Sequence, residues 1–394
     1  MSTDSPIGQP MLEGIRVLNL GTVGPAARAA RTLADFGAQV VAVAPVSSKS
    51  GLQTKPVYHT YGAGRDFQRI RIDLKSDEGR EVLLRLVEGA DVLIESFRPG
   101  AVGRLGLDWE VVGRRNPRLV YCSTSGYGQD GPAAQWAGHD LNYLALSGFL
   151  ACSEPRADGG PPIPGATVAD SAGGGMHAVT SILAALVRRG ITGVGCRLDV
   201  SAAEGALSMM SLSIDQFLAE GEVAEPRQVL LTGRYAFYDL YETRDKKWLS
   251  VAAIETRFFK NLCELLGLSE FKPHQYDDER QAEIRKEFGR VFKTRTRDEW
   301  TLELASKDTC VAPVLSIPEL VDHPHWRSRG IFMEAEHAER GVFEQVAPIL
   351  AGSVRAHPRH RVRPDAETDC MALLAEAGFS EAEQAKLLED GAVE

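Results

Sequence analysis

The chain has no run of about 18 apolar residues, so a membrane-spanning helix is not expected. It has no CxxC pair. Cys122, Cys152, Cys196, Cys263, Cys310 and Cys370 are scattered, which argues against a structural zinc site and against a disulfide framework. It is short of positive charge: 44 Lys and Arg stand against 54 Asp and Glu, a formal net charge of −10. A general nucleic-acid partner is therefore not expected, because neutralising phosphates needs a basic face. A local basic pocket for a small phosphorylated ligand stays open. The first ten residues lack the basic-then-apolar plan of a signal peptide, and Gly391-Ala392-Val393-Glu394 is no peroxisomal address. These absences lead us to expect a soluble, cytoplasmic protein with no membrane association and no metal.

What is present is an ordinary globular composition, 44% hydrophobic and 25% charged over 394 residues. At roughly 100–200 residues per domain, two or three domains are expected. An apolar run at 15–20 is broken by Gly21 and followed by helical composition over 26–36, a glycine at 37 and a second apolar run at 39–43. That is a βαβ unit of about the usual 30 residues, and it predicts a parallel sheet. The intervening turn reads G-T-V-G-P-A rather than G-x-G-x-x-G, which weighs against a nicotinamide dinucleotide. The alternation continues with a helix at 77–89, a strand at 91–94, a helix at 109–115 and a strand at 119–122. A turn-rich loop follows at 125–132, then helices near 139–151 and 174–189, a strand at 197–200 and a long helix at 202–218. From 225 the texture changes to aromatic strands at 235–241 and 248–252 and charged amphipathic helices at 258–267 and 278–292. The expected division is a large domain from 1–224 and 331–394, with a smaller α+β domain at 225–330. The tail reads as an acidic helix pair interrupted at 378–381.

Three stretches stand out chemically. In Gly138-His139-Asp140-Leu141-Asn142-Tyr143 a histidine sits at an apparent helix start, where backbone N–H groups stabilise a developing anion. An incidental histidine in a capping segment explains it as well. In Asp170-Ser171-Ala172-Gly173-Gly174-Gly175 an aspartate precedes three glycines. It reads equally as an N-cap or as a site whose glycines allow a ligand near the backbone. Glu255, at a strand-to-helix junction, is either a cap, a solvated charge or a functional carboxylate. His323-Pro324-His325 lacks a third ligand at usable spacing, and Ser125 lacks a G-x-S-x-G elbow.

Taken together these stretches resemble the class III CoA-transferase (CaiB–BaiF) superfamily, nearly end to end. Superfamily marks are the segment from Ala90 through Ile94-Glu95-Ser96-Phe97-Arg98-Pro99-Gly100, then Arg104-Leu105-Gly106-Leu107, the loop at 125–132, and Leu198-Asp199-Val200-Ser201. Gly138-His139-Asp140 with Asn142-Tyr143, Ala253-Ile254-Glu255 and Cys310-Val311-Ala312-Pro313 are similar to its α-methylacyl-CoA racemase branch. The resemblance implies an interlocked homodimer. Each chain would have a Rossmann-like large domain built from both chain ends and a smaller α+β domain, with the site where domains of different subunits meet. It implies racemisation of a 2-methylacyl-CoA by 1,1-proton transfer, with no cofactor beyond the CoA of the substrate. His139 and Asp170 would serve opposite faces of an enolate, and Glu255 would orient His139. The Asp140 N–H would hold the thioester oxygen, and the glycine run would leave room for the acyl chain. Tyr143 would face the same pocket, and Lys75, Arg98 and Arg104 would contact CoA phosphates. Two alternatives stand beside this: a CoA transferase using Asp170 as nucleophile through an anhydride and an enzyme–CoA thioester, and a non-catalytic acyl-CoA binder. Departures from the family pattern fall at Ala42, Ala44 and Ala166 and at Gly64-Arg65-Asp66-Phe67, with Arg65, Arg69 and Arg71 as candidate compensating cations.

Overall fold

Parallel strands covered on both faces need near-continuous apolar runs, and Val17-Leu18, Val40-Val41 and Val92-Leu93-Ile94 supply them. The computed structural model describes residues 10–21, 23–47, 57–59, 67–349, 359–364 and 366–394. The chain divides into two compact units. One comprises Met1–Gly148, Pro164–Ser211 and Pro324–Glu394, and the other Phe149–Ile163 and Leu212–His323.

The first unit is built on a mixed α/β plan around a six-stranded sheet: β1 (Arg16–Asn19), β2 (Gln39–Ala44), β3 (Gln68–Arg71), β4 (Val92–Glu95), β5 (Val120–Ser125) and β6 (Cys196–Ser201). The order is β3-β2-β1-β4-β5-β6, and all neighbouring pairs are parallel. The order reverses between β1 and β4, the place where open α/β sheets form a crevice beyond their carboxyl ends. Its helices are α1 (Gly24–Asp35), α2 (Asp77–Glu88), α3 (Ala101–Arg104), α4 (Trp109–Arg115), α5 (Asp140–Leu146), a π-helix (Ala169–Met176), α6 (His177–Thr192) and α7 (Ala202–Ser208). Side chains alternate across the sheet. Val17, Val40, Val92 and Ile94 pack on α1 and α6. Leu18, Val41 and Leu93 pack on α2, α4 and the C-terminal helices Cys370–Glu376 and Glu381–Glu389.

Helix α2 shows how sequence sets an element. Ser76 caps it, its Oγ accepting from the Gly79 N–H at 3.0 Å, and Asp77 and Glu78 oppose the positive end of the helix dipole. Val82, Leu83, Leu86 and Val87 recur at helical spacing and bury against the sheet. Ser76→Ala is expected to cost about 1 kcal/mol, read as a lower urea midpoint with an unchanged m-value.

In the second unit β7 (Tyr238–Glu242), β8 (Trp248–Ala252) and β9 (Val311–Pro313) form an antiparallel sheet in that order. Helices Thr256–Leu265, Gln281–Phe292 and Arg297–Leu304 cover it. Phe237, Phe259, Phe288, Phe292 and Trp300 make an aromatic core with mostly edge or tilted ring contacts. The first unit also holds β10 (Phe332–His337), β11 (Gly341–Val346) and β12 (His360–Val362).

Several elements depart from expectation. The single helix expected over 202–218 is two, α7 and Ser211–Glu220. The Ser208 hydroxyl donates to the Gly205 carbonyl at 2.7 Å and competes with the helical ladder just before the break. The helix expected near 139–151 stops at Leu146, and Gly148 follows at φ +82°, a left-handed conformation that glycine adopts without strain. The helix expected from 174 starts at Ala169 with a π-helical stretch. All six cysteines are free thiols. Among the described residues no helix is long and apolar enough to cross a membrane, and no group of three or more His, Cys, Asp and Glu side chains is placed to hold a metal ion.

Candidate active site

Strand β5 runs out at Ser125 into the turn-rich loop, which is closed by one contact to Ser125 itself and pinned by two more to β6 and the start of α7. The Gly128 N–H donates to Ser125 Oγ at 2.9 Å, the Gln129 N–H to Asp199 Oδ2 at 2.9 Å, and the Ala203 N–H to the Gly126 carbonyl at 3.0 Å. The loop returns at Gly138. Tyr143 lies flat between its two ends. A Cβ at Gly126 would stand 2.4 Å from Tyr143 Cε1, and one at Gly138 2.8 Å, so both positions require glycine. The Tyr143 hydroxyl donates to the Gly138 carbonyl at 2.6 Å, and its ring meets Tyr127 edge to face at 5.1 Å. Burial, with the carboxylates of Asp170 and Asp140 nearby, pushes its phenol up to about 12. Tyr143 thus fixes the backbone immediately before His139, its hydroxyl engaged by protein.

His139 is the N-cap residue of α5, with extended backbone and an exposed side chain. Its ring caps nothing. The cap is made in reverse, by Asn142, whose Oδ1 accepts the His139 backbone N–H at 3.0 Å. The segment is therefore a capping segment, as the plainer reading had it, and the imidazole is left free of the cap. Asp140 opens the helix, and its Oδ1 accepts the Asp170 backbone N–H at 2.8 Å. That bond ties the start of α5 to the π-helix.

Asp170 is not an N-cap. Val168 precedes the π-helix, and Asp170 lies inside its first turn with its side chain free of capping. π-Helical turns concentrate at functional sites. Its carboxylate is largely buried and meets Arg28 of α1, Nη1 to Oδ2 at 3.4 Å. Burial raises its pKa above the ordinary carboxylate value, with Asp140 adding to the rise, while the charges of Arg28 and His139 pull it back. The structure thus brings His139, Asp140, Tyr143 and Asp170 together beyond the carboxyl ends of β5 and β6.

The glycine run does not open the space expected of it. A Cβ at Gly173 would stand 2.6 Å from the Ala202 carbonyl oxygen, and one at Gly174 2.6 Å from Pro25. These glycines let α1 and α7 pack hard against the π-helix, so the room is used by protein.

Lys75, Arg98 and Arg104 are exposed and follow β3 and β4 along the carboxyl edge of the sheet. Among the described residues none of the three side chains is engaged in an ion pair, which leaves each available for an anion. The Arg98 segment is held by the buried Glu95, which the sequence offered only as part of the superfamily segment and with no role; its Oε2 accepts the Phe97 N–H at 2.8 Å. Burial raises the pKa of Glu95, offset in part by hydrogen bonds from Ser123, the Phe97 N–H and Tyr121. Of the candidate compensating cations, Arg69 donates to the Arg363 and Pro364 carbonyls near the C-terminal end, and Arg71 donates to Ser47 Oγ, just after β2, at 3.2 Å. Residues 64–66, including Arg65, lie outside the described residues.

Glu255 belongs to the second unit. It occupies the N-cap position of helix Thr256–Leu265 but makes no capping bond, and it is exposed. The backbone before it is fixed by Gln275, which donates to the Ile254 carbonyl at 2.7 Å, and by the Tyr276 hydroxyl at 3.1 Å. The Cys310 thiol is pushed up by burial and then by the charge of Glu255, which puts the two side chains in the same neighbourhood.

Arg28 and Thr167 went unnoticed in the sequence. Nothing distinguishes an arginine at the middle of an alanine-rich helix until the π-helix is laid across it.

A parallel six-stranded sheet with helices on both faces, carrying an exposed imidazole and a half-buried carboxylate beyond its strand ends, defines a mixed α/β protein. The chain belongs to the CoA-transferase family III, whose family model matches residues 12–369. It is 38% identical over 386 residues to human alpha-methylacyl-CoA racemase, covering 97% of each chain. It is 31% identical over 378 residues to succinate–glutarate CoA-transferase of Agrobacterium fabrum, covering 88% of this chain and 91% of that one. Among solved structures, a CaiB/BaiF family protein from Brucella suis superposes with a TM-score of 0.75 at 25% identity, over 93% of this chain and 99% of that one.

Proposed function

We propose that this enzyme racemises the α-carbon of a 2-methylacyl-CoA. One group removes the α-proton, the thioester becomes a planar enolate, and the group on the other face returns a proton, so atoms and charge balance without an oxidant or a cofactor. Asp170 and His139 are the two groups. The observation that carries this reading is their placement on one frame: the π-helix turn of Asp170 is bonded through Asp140 to the helix start at which His139 stands in the N-cap position. The charge of His139 reaches Asp170. The backbone N–H of Asp140, at that helix start, is the donor for the enolate oxygen. Glu255 orients the His139 imidazole, as a carboxylate does in other histidine sites. Lys75, Arg98 and Arg104 take the CoA phosphates, and Tyr143 shapes the loop beside the thioester. We further propose the interlocked homodimer that the family resemblance implies. Identity to racemases at 38% and 35% supports the isomerase reading. Relatives named as CoA transferases keep open a second one, in which Asp170 attacks an acyl-CoA and carries first the acyl group and then CoA.

The test is incubation of a single-enantiomer 2-methylacyl-CoA in heavy water, following deuterium at C2 together with chirality. Exchange with inversion is expected, and His139→Ala should lose it by at least about 100-fold. Racemisation unchanged in that variant would remove His139 from the mechanism. Absence of exchange, with CoA transfer to a carboxylate that survives His139→Ala, would establish the transferase instead.

A further inference from the structure

We propose that Arg28 is a positioning residue for Asp170: its guanidinium, anchored on Thr167, holds the Oδ2 oxygen so that proton transfer runs through Oδ1. This rests on Asp170 being the acid–base group of the proposed function and deepens it.

The geometry is built rather than incidental. Arg28 Nη2 donates to Thr167 Oγ1 at 2.8 Å while Nη1 reaches Asp170 Oδ2 at 3.4 Å. A planar fork with one arm fixed and the other on a carboxylate restricts that carboxylate's rotation, which a lysine does poorly. The arginine side chain is 11% exposed, so water screens the pair weakly. Its stem lies against Gly175, where a Cβ would stand 3.0 Å from Arg28 Cβ, so this glycine makes the space in which the arginine crosses the π-helix. Among the described residues Arg28 and His139 are the two cationic groups acting on the carboxylate, and Arg28 acts more strongly. From α1, Arg31 is committed to Asp35 at 2.8 Å. From α5, His139 and Asp140 act in opposite senses and Tyr143 presents a phenol. Glu204 on α7 and His177 on α6 are exposed, and at β6 Asp199 is taken by the Gln129 N–H.

The consequence has a definite sign. Burial and Asp140 both favour the neutral Asp170 carboxyl, and Arg28 is the larger of the two groups opposing them. Removing the guanidinium raises the carboxyl's pKa further, so the ionised fraction at a given pH falls. An acid–base group that must be reached from either side of the reaction then becomes harder to deprotonate.

The test titrates the carboxyl directly. The full-length chain is labelled with 13C at aspartate carboxyls, and the Asp170 resonance is assigned by its loss in Asp170→Asn. Wild type, Arg28→Met, Arg28→Gln and Arg28→Lys are then followed against pH. The Asp170 midpoint is expected to rise by about one pH unit in Arg28→Met and Arg28→Gln, with Lys restoring most of the shift. Kinetically, kcat for α-proton exchange should fall about tenfold with KM little changed, and the acid limb of the profile should move to higher pH. An unmoved midpoint in a folded Met or Gln variant overturns the proposal. The titration does not depend on turnover, so an inactive wild type would remove the racemase reading and still leave Arg28 decided.

Discussion

Asp170→Asn is expected to abolish α-proton exchange and CoA transfer alike, lowering kcat/KM by at least about 10³-fold. Both readings of the site use this carboxylate, as base in one and nucleophile in the other, and an amide can do neither. The loss should come without a loss of fold. The folded-state pKa of Asp170 is raised, mainly by burial. The stability it contributes is therefore fully present below the unfolded carboxylate pKa and is lost as pH rises through the folded value. Ionisation of this group in the folded state is a net cost, so its neutral isostere is expected to melt no lower than the wild type. Calorimetry of the variant beside the exchange assay checks both halves. An inactive variant that also melted well below wild type would mean that the carboxylate holds the π-helix together and is not tolerated there for chemistry. His139→Ala divides the readings, because transfer through an Asp170 anhydride has no use for the imidazole.

The second large effect is expected at a glycine whose close neighbours are all backbone. Gly205 of α7 crosses Gly173 of the π-helix so closely that a Cβ at 205 would lie 1.8 Å from the Gly173 carbonyl oxygen and 2.5 Å from its carbonyl carbon. From the other side, a Cβ at 173 would meet the Ala202 oxygen at 2.6 Å and the Ala206 nitrogen at 2.9 Å. Every one of these neighbours is backbone, so no side chain can rotate away. Gly205→Ala is expected to cost about 3 kcal/mol, the upper end of ordinary overpacking. It should also push the π-helix off the Asp140 carboxylate that holds it, so exchange activity should fall even where the variant remains folded. Urea melts and the exchange assay measure the two effects. Gly190→Ala on α6 is the control, because nothing lies within 4 Å of that Cβ. There the lower chain entropy of alanine should leave stability unchanged or raise it by up to about 1 kcal/mol. A Gly205→Ala variant as stable as this control would contradict the crossing.

Strand β3 and strands β10 to β12 show where local pattern fails. β3 reads Gln68-Arg69-Ile70-Arg71 and buries Ile70 alone on the edge of the sheet, so it has almost no apolar signal. In β10, Met333 and Ala335 do alternate inward, but between charged residues that a short window averages away. The C-terminal end shows the same limit. Val393 bridges Ile72, and the Asp73 N–H donates to the Ala392 carbonyl at 2.9 Å, a pairing across more than three hundred residues with no local mark.

By itself the sequence determined the parallel sheet of the first unit, because strands covered on both faces must be continuously apolar. It also determined the caps and faces of helices such as α2, because hydrogen-bonding and burial rules act within a few residues. It carried His139, Asp140, Asp170 and Glu255 as candidates through residue type and motif. Only the tertiary structure decided what their neighbours are. The Asp170 carboxyl proved to sit inside a π-helical turn rather than at a cap, and the glycines after it proved to be consumed by α1 and α7. Arg28, more than a hundred residues away, proved to be the cation on its Oδ2. A carboxylate's proton affinity is set by the burial and charges around it in space, and neither quantity is local in the chain.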